Sequence, residues 1–136
     1  MKRLFNTKLK GVSLQEVLVA LVIIGIIAVM AIPVYNTFIT KAKMTEAKDQ
    51  LVFLHTLERT YHMEHSKYSD DLKTIGFEQA KLVTDGGTAN YHIEIVSAAP
   101  GTFTGRATAI TDFDNDGTFN VWEIDQDKNL KMTQED

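Results

Sequence analysis

Residues 8–33 read KLKGVSLQEVLVALVIIGIIAVMAIP, and they hold the longest apolar run of the chain. A basic segment meets Gly11, and an apolar run begins directly after it. Residues 17–32 contain no polar or charged side chain. With the partly apolar residues before them, they reach the roughly 20 residues that cross a bilayer as a helix. One carboxylate, Glu16, sits in the first turns of that run. A charge at the centre of a membrane helix costs on the order of 3 kcal/mol, so an acid kept there marks a functional position. The plainer alternative is that Glu16 reaches back to the membrane interface.

Charge is spread unevenly on the two sides of this run. Lys2, Arg3, Lys8 and Lys10 give the first eleven residues a charge of +4, whereas the remainder carries 10 basic and 18 acidic residues, a net of −8. Basic residues beside an apolar span stay on the cytoplasmic side, which puts the acidic part outside. Lys41, Lys43 and Lys48 weaken this asymmetry without removing it. A segment of net −8 is a poor partner for phosphate backbones, so nucleic acid is not expected. There is no cysteine, which excludes disulfides, thiolate metal sites and a cysteine nucleophile. The 136 residues leave material for one small domain beyond the apolar run.

A secretory signal would need a small-x-small cleavage site, and Ala28-Val29-Met30-Ala31 has the wrong spacing. A plain anchor gives no reason for Glu16. The segment Lys10-Gly11-Val12-Ser13-Leu14-Gln15-Glu16 with the apolar run behind it resembles the class III signal of type IV prepilins and type II secretion pseudopilins. The resemblance covers about residues 8–60, with Val12 where the family usually has phenylalanine and Gln15 where it is normally apolar. It implies cleavage by a prepilin peptidase between Gly11 and Val12, and methylation of the new amino terminus at Val12. It also implies an assembly role for Glu16, and helix flexibility at Gly25 and Pro33. Physical chemistry agrees on Glu16: in an apolar filament core, the Val12 ammonium of one subunit can neutralise the Glu16 carboxylate of another.

Helical periodicity continues beyond the apolar run. Met44, Ala47, Leu51, Leu54, Leu57 or Glu58, and Tyr61 recur at spacings of three and four, with Lys41, Lys43, Glu46, Lys48 and Asp49 as the solvated face. Pro33 removes one backbone hydrogen bond within this pattern. The expectation is one helix from Val12 to about His65, roughly 80 Å at 1.5 Å per residue. His55, Glu58, His62 and His65 share overlapping turns; they are read as a polar, solvated face in preference to a metal site. No serine–histidine–acid set and no glycine-rich phosphate loop occurs, so no enzyme is expected.

After the helix, residues 69–76 read as a capped helical turn closed by Gly76, and Asp85-Gly86-Gly87 as a turn. Alternation predicts strands at 89–97, 102–110 and 118–124, with a short edge strand at 130–132. Short connections imply an antiparallel meander. Asp112-Phe113-Asp114-Asn115-Asp116-Gly117 followed by Glu123 satisfies the calcium-loop pattern D-x-D-x-D-G-x5-E. The candidate ligands are Asp112, Asp114, Asp116, Thr118 and Glu123, with calcium as the candidate cofactor. The competing reading is a solvated acidic hairpin.

The expected fold class is α+β: one long N-terminal helix, transmembrane in its first half, packed on a small antiparallel β-meander in a pilin-like arrangement. Residues 1–11 are read as a cleaved leader, 12–40 as the hydrophobic helix that serves as anchor and filament core, and 41–136 as the globular head. The resemblance implies a structural subunit of a type IV pilus-like filament. The alternatives are a type II secretion pseudopilin and a membrane-tethered calcium-binding domain that does not polymerise. The implied partners are further copies of the chain, the prepilin peptidase, the inner-membrane assembly machinery and the membrane itself. The implied location is the inner membrane, with a cytoplasmic N-terminus, and then a periplasmic or extracellular filament.

Overall fold

A computed structural model describes residues 11–113 and 115–135, with side chains for all of these except 33, 34 and 36. In chain order it contains α1 (Leu14–His65), a single 3-10 turn (Val83–Asp85), β1 (Tyr91–Ala98), β2 (Phe103–Ala109), β3 (Val121–Asp125) and β4 (Leu130–Gln134). The four strands form one antiparallel sheet in the order β1-β2-β3-β4. The α+β expectation of a long helix and a small meander is met. The chain divides into two compact units, Met1–Phe38 and Ile39–Asp136.

In the second unit the apolar stripe of α1 does what its spacing predicts. Ala47, Leu51 and Leu54 are fully buried against the sheet, and Met44, Leu57 and Tyr61 pack around them. The sheet accepts the helix because of what β2 turns inward. Its buried positions are Phe103, Gly105, Ala107 and Ala109, three of them with little or no side chain. A Cβ placed on Gly105 would stand 2.5 Å from Leu54 Cδ2, so the helix lies on the backbone itself at this point. Tyr91, Ile93, Trp122 and Ile124 complete the core from β1 and β3.

Polar side chains then lock the layers. Glu46 on α1 accepts the Asn90 backbone N–H at 2.8 Å and its side-chain amide at 2.7 Å, fixing the helix to the start of β1. The Gln79 amide behaves like a strand residue on the β1 edge: it accepts from Ile93 N at 2.8 Å and donates to Tyr91 O at 3.1 Å. This occupies part of an edge that would otherwise be open to pairing. Asn120 is fully buried between strands; its Oδ1 accepts from Tyr91 Oη at 2.7 Å, and its Nδ2 donates to Gln134 O at 3.3 Å.

The structure shifts several sequence-predicted boundaries. α1 begins at Leu14, not Val12, because Ser13 caps it. The third strand begins at Val121, three residues later than expected, since Thr118 is bonded to Asp116 in the preceding loop. The turn after the helix is capped by Asp71, whose carboxylate accepts from the backbone N–H of Lys73 and Thr74. Its closing Gly76 takes φ 79°, as the glycine rule requires. One reading is corrected outright: the face carrying His55 and Glu58 is not solvated. His55 is 5% exposed and Glu58 is 0% exposed. Their burial follows from the 3.6-residue period, which carries the buried stripe from Leu51 and Leu54 straight through 55 and 58.

Candidate functional site

The candidate site is the start of α1. Residues 11–13 are not helical, and the helix opens with a reciprocal cap. The Ser13 hydroxyl accepts from Glu16 N at 3.3 Å, while Glu16 Oε2 accepts from Ser13 N at 2.8 Å. This is the capping box S-x-x-E, which satisfies two orphan donors at once. It also places an acid at the positive end of the helix dipole. The signature is present in the sequence as Ser13-Leu14-Gln15-Glu16, so the acid in the apolar run has a local role as well. The carboxylate therefore has a partner within its own chain before any neighbour is considered.

Beyond the cap the helix is apolar all round and faces outward. Val17, Leu18, Leu21, Ile24, Ile27 and Met30 are between 44% and 70% exposed, although burying such side chains is worth about 1.5–3 kcal/mol each. By length and composition the helix is sufficient to cross a membrane. Helix is assigned continuously through Gly25 and Pro33. A Cβ on Gly25 would meet nothing within 4 Å, and the same holds for Gly11. The basic leader before Gly11 and the side chain of Pro33 lie outside the described residues.

The acidic loop is a separate place. Asp112 accepts from Gly117 N at 2.7 Å and from Asn115 N, and Asp116 accepts from Thr118 N at 2.7 Å. Asn115 and Gly117 both take positive φ, 63° and 92°, which folds the loop tightly around these carboxylates. Asp114 lies outside the described residues. Glu123, the expected closing ligand, projects from β3 to Arg106 on β2, with Oε1 2.7 Å from Nη2 and 2.8 Å from Nε. Glu94, Arg106, Glu123 and Lys131 face one another in register across all four strands, a row of alternating charge. Among the described residues, no group of three or more histidines and acids is placed to hold a metal ion.

The histidines of α1 serve the fold. The Nε2 of His55 lies 3.1 Å from the Gln126 carbonyl, and the Nε2 of His62 lies 3.0 Å from that of Pro100. Since carbonyls only accept, each ring nitrogen donates. His62 stacks on Tyr68, and His65 on Tyr61.

Comparison with known proteins supplies the family. The family model described as "Type IV minor pilin ComP, DNA uptake sequence receptor" matches residues 33–120. The type IV major pilin protein PilA of Myxococcus xanthus is 38% identical over 73 residues, which is 54% of this chain and 33% of that protein. The type IV major pilin protein PilE1 of Neisseria gonorrhoeae is 28% identical over 71 residues, 52% of this chain and 43% of that protein. The chain thus spans between a third and a half of the length of the curated relatives it matches. A capped apolar helix, a four-stranded meander on its second half and a family match across most of the head lead to one conclusion: the chain belongs to the type IV pilin family.

Proposed function

We propose that this chain is a structural subunit of a type IV pilus-like filament, cut after Gly11 by a prepilin peptidase and polymerised through its N-terminal helix. The observation that carries this is the exposed apolar surface of α1 with a single acid held at its mouth. Such a surface needs lipid first and other helices later, since in water it would aggregate. Before assembly the helix holds the subunit in the inner membrane with its N-terminus on the cytoplasmic side. The assembly machinery then transfers it to a filament outside. Members of this family are structural proteins and not enzymes.

Both named relatives are pilus subunits, which favours a pilus over a type II secretion pseudopilus. The DNA receptor role named in the family description gains nothing from charge here. Beyond residue 11 the chain has 10 basic against 18 acidic residues, and phosphate contacts depend on lysine and arginine.

Intact mass of sheared surface fibres tests the proposal. The expected species begins at Val12 and carries one added methyl group on its amino terminus. Fibres that lack this chain, or contain it beginning at Met1, end the reading.

For the acidic loop, the calcium proposal rests on Asp112 and Asp116, with Glu123 already committed to Arg106. Accordingly, Glu123→Gln is expected to leave the calcium-dependent rise in Tm unchanged, and Asp112→Asn to remove it. Absence of any rise at millimolar calcium, the range of weak extracellular sites, disproves calcium binding.

A further inference from the structure

Glu58 is fully buried on the sheet-facing side of α1, yet its carboxyl group has little to hold it as an anion. Oε2 accepts one hydrogen bond, from the backbone N–H of Ser69 at 3.0 Å. Oε1 is buried and has no hydrogen-bond partner among the described residues. A buried carboxylate normally gathers two or three donors or a cation, and one left without them takes up a proton instead.

The surroundings agree from every side. On α1 the flanking titratable groups are His55 and His62, whose Nε2 atoms are turned to the Gln126 and Pro100 carbonyls. On the segment after the helix stand Lys67, Asp70 and Asp71, and of these Asp70 acts on Glu58 with a like charge. From the sheet comes Phe103, which touches both His55 and Tyr68, and the rest of the inward face of β2 is Gly105, Ala107 and Ala109. The described ion pairs are those of Arg106 with Glu94 and Glu123, so Glu58 has no countercharge among them. Burial pushes the Glu58 carboxyl above the usual carboxylate range, Asp70 adds to this, and the Ser69 N–H pulls the other way.

What Glu58 holds directly is Ser69, the head of a short chain of bonds, while Tyr68 and Ile75 are held by apolar packing. Ser69 Oγ accepts from Asp71 N at 3.1 Å, and the Asp71 carboxylate accepts from Thr74 N at 3.1 Å and Thr74 Oγ1 at 2.7 Å. Asp71, on the surface end of this chain of bonds, is held below the ordinary range chiefly by the Thr74 hydroxyl. The two acids at the ends of one relay are thus pushed in opposite directions. We propose that Glu58 is a proton-dependent latch: as the neutral acid it holds Ser69 against α1, and when it ionises this contact opens.

The sign follows from linkage. The closed state binds a proton that the open state, with an ordinary glutamate near 4.5, has already lost. Closing is therefore favoured at low pH and weakens as pH rises towards the folded value, by at most about tenfold per pH unit. Hydrogen exchange on the full chain in detergent micelles measures this directly. The protection factor of the Ser69 amide is expected to fall above roughly pH 4.5 in the wild type, by at most about tenfold per pH unit, and to level off above the raised folded value. In Glu58→Gln, which mimics the neutral acid, it is expected to stay level. A level wild-type profile, or the same slope in both proteins, overturns the latch. Should the variant fail to fold, the 13C shift of the wild-type Glu58 carboxyl decides: a midpoint within the ordinary glutamate range overturns it, and one above that range supports it.

Discussion

Cells carrying Glu16→Ala are expected to produce no filament from this chain, while the head of each subunit folds as before. Two different interactions end at this carboxylate, and they predict different partners for the mutation. Within the chain, Glu16 closes the capping box with Ser13. Losing a cap costs about 0.5–2 kcal/mol, which frays the first turn of a helix 52 residues long without disturbing a core that lies beyond residue 39. Between chains, under the proposed function, Glu16 meets the Val12 ammonium of a neighbour. Removing one partner of a buried pair strands the other charge and costs about 3–5 kcal/mol, repeated at every subunit. Glu16→Gln separates the two roles, because glutamine serves the capping box as well as glutamate but carries no charge. Electron microscopy of sheared fibres is expected to show none with either variant. Normal filaments from Glu16→Gln would mean that the cap, not the charge, is what assembly uses.

Within the core of the head, Gly105→Ala is expected to be clearly destabilising. Alanine there brings a Cβ to 2.5 Å from Leu54 Cδ2 and 3.3 Å from Ile124 Cγ2. Leu54 is fully buried and hemmed by Leu51, so its methyl group cannot simply swing away. Overpacking of this kind costs about 1–3 kcal/mol. For a head of this size that lowers Tm by about 5–15 °C, measured by circular dichroism on the full chain in micelles. Valine adds two more heavy atoms at the same point and is expected to leave the sheet undocked. The cause can be isolated. Leu54→Ala alone costs about 2–5 kcal/mol, but it opens the space that a Cβ at 105 needs. In that background Gly105→Ala is expected to cost little, and such coupling identifies the contact as the origin. Equal losses in both backgrounds would place the sensitivity elsewhere.

Much of this architecture is legible without coordinates because it rests on local rules. The apolar run, the stripe from Met44 to Tyr61 and the glycine that closes the turn at 76 each follow from periodicity or turn chemistry within a few residues. The capping box is equally local, and S-x-x-E could have been read directly. The alternation at 89–97 and the short connections were enough for the meander. What failed was the environment of polar groups. Asn120 in the sequence is one more turn-forming residue after an acidic loop; in the structure its side chain ties β1 to β4.

An apolar helix with one acid at its start, an amphipathic continuation and a small antiparallel sheet all follow from the order of residues alone. These depend on spacing along the chain, and spacing is visible in one dimension. Where the carboxylates go depends instead on contacts between distant parts of the chain. Glu123 matched a calcium pattern, but strand register sets it against Arg106. Glu58 passed for a surface acid, but its partner amide is 11 residues away and meets it only after the chain has turned back on the helix. Partners brought together by register and reversal have no signature in local spacing, because their distance along the chain is unrelated to their distance in space.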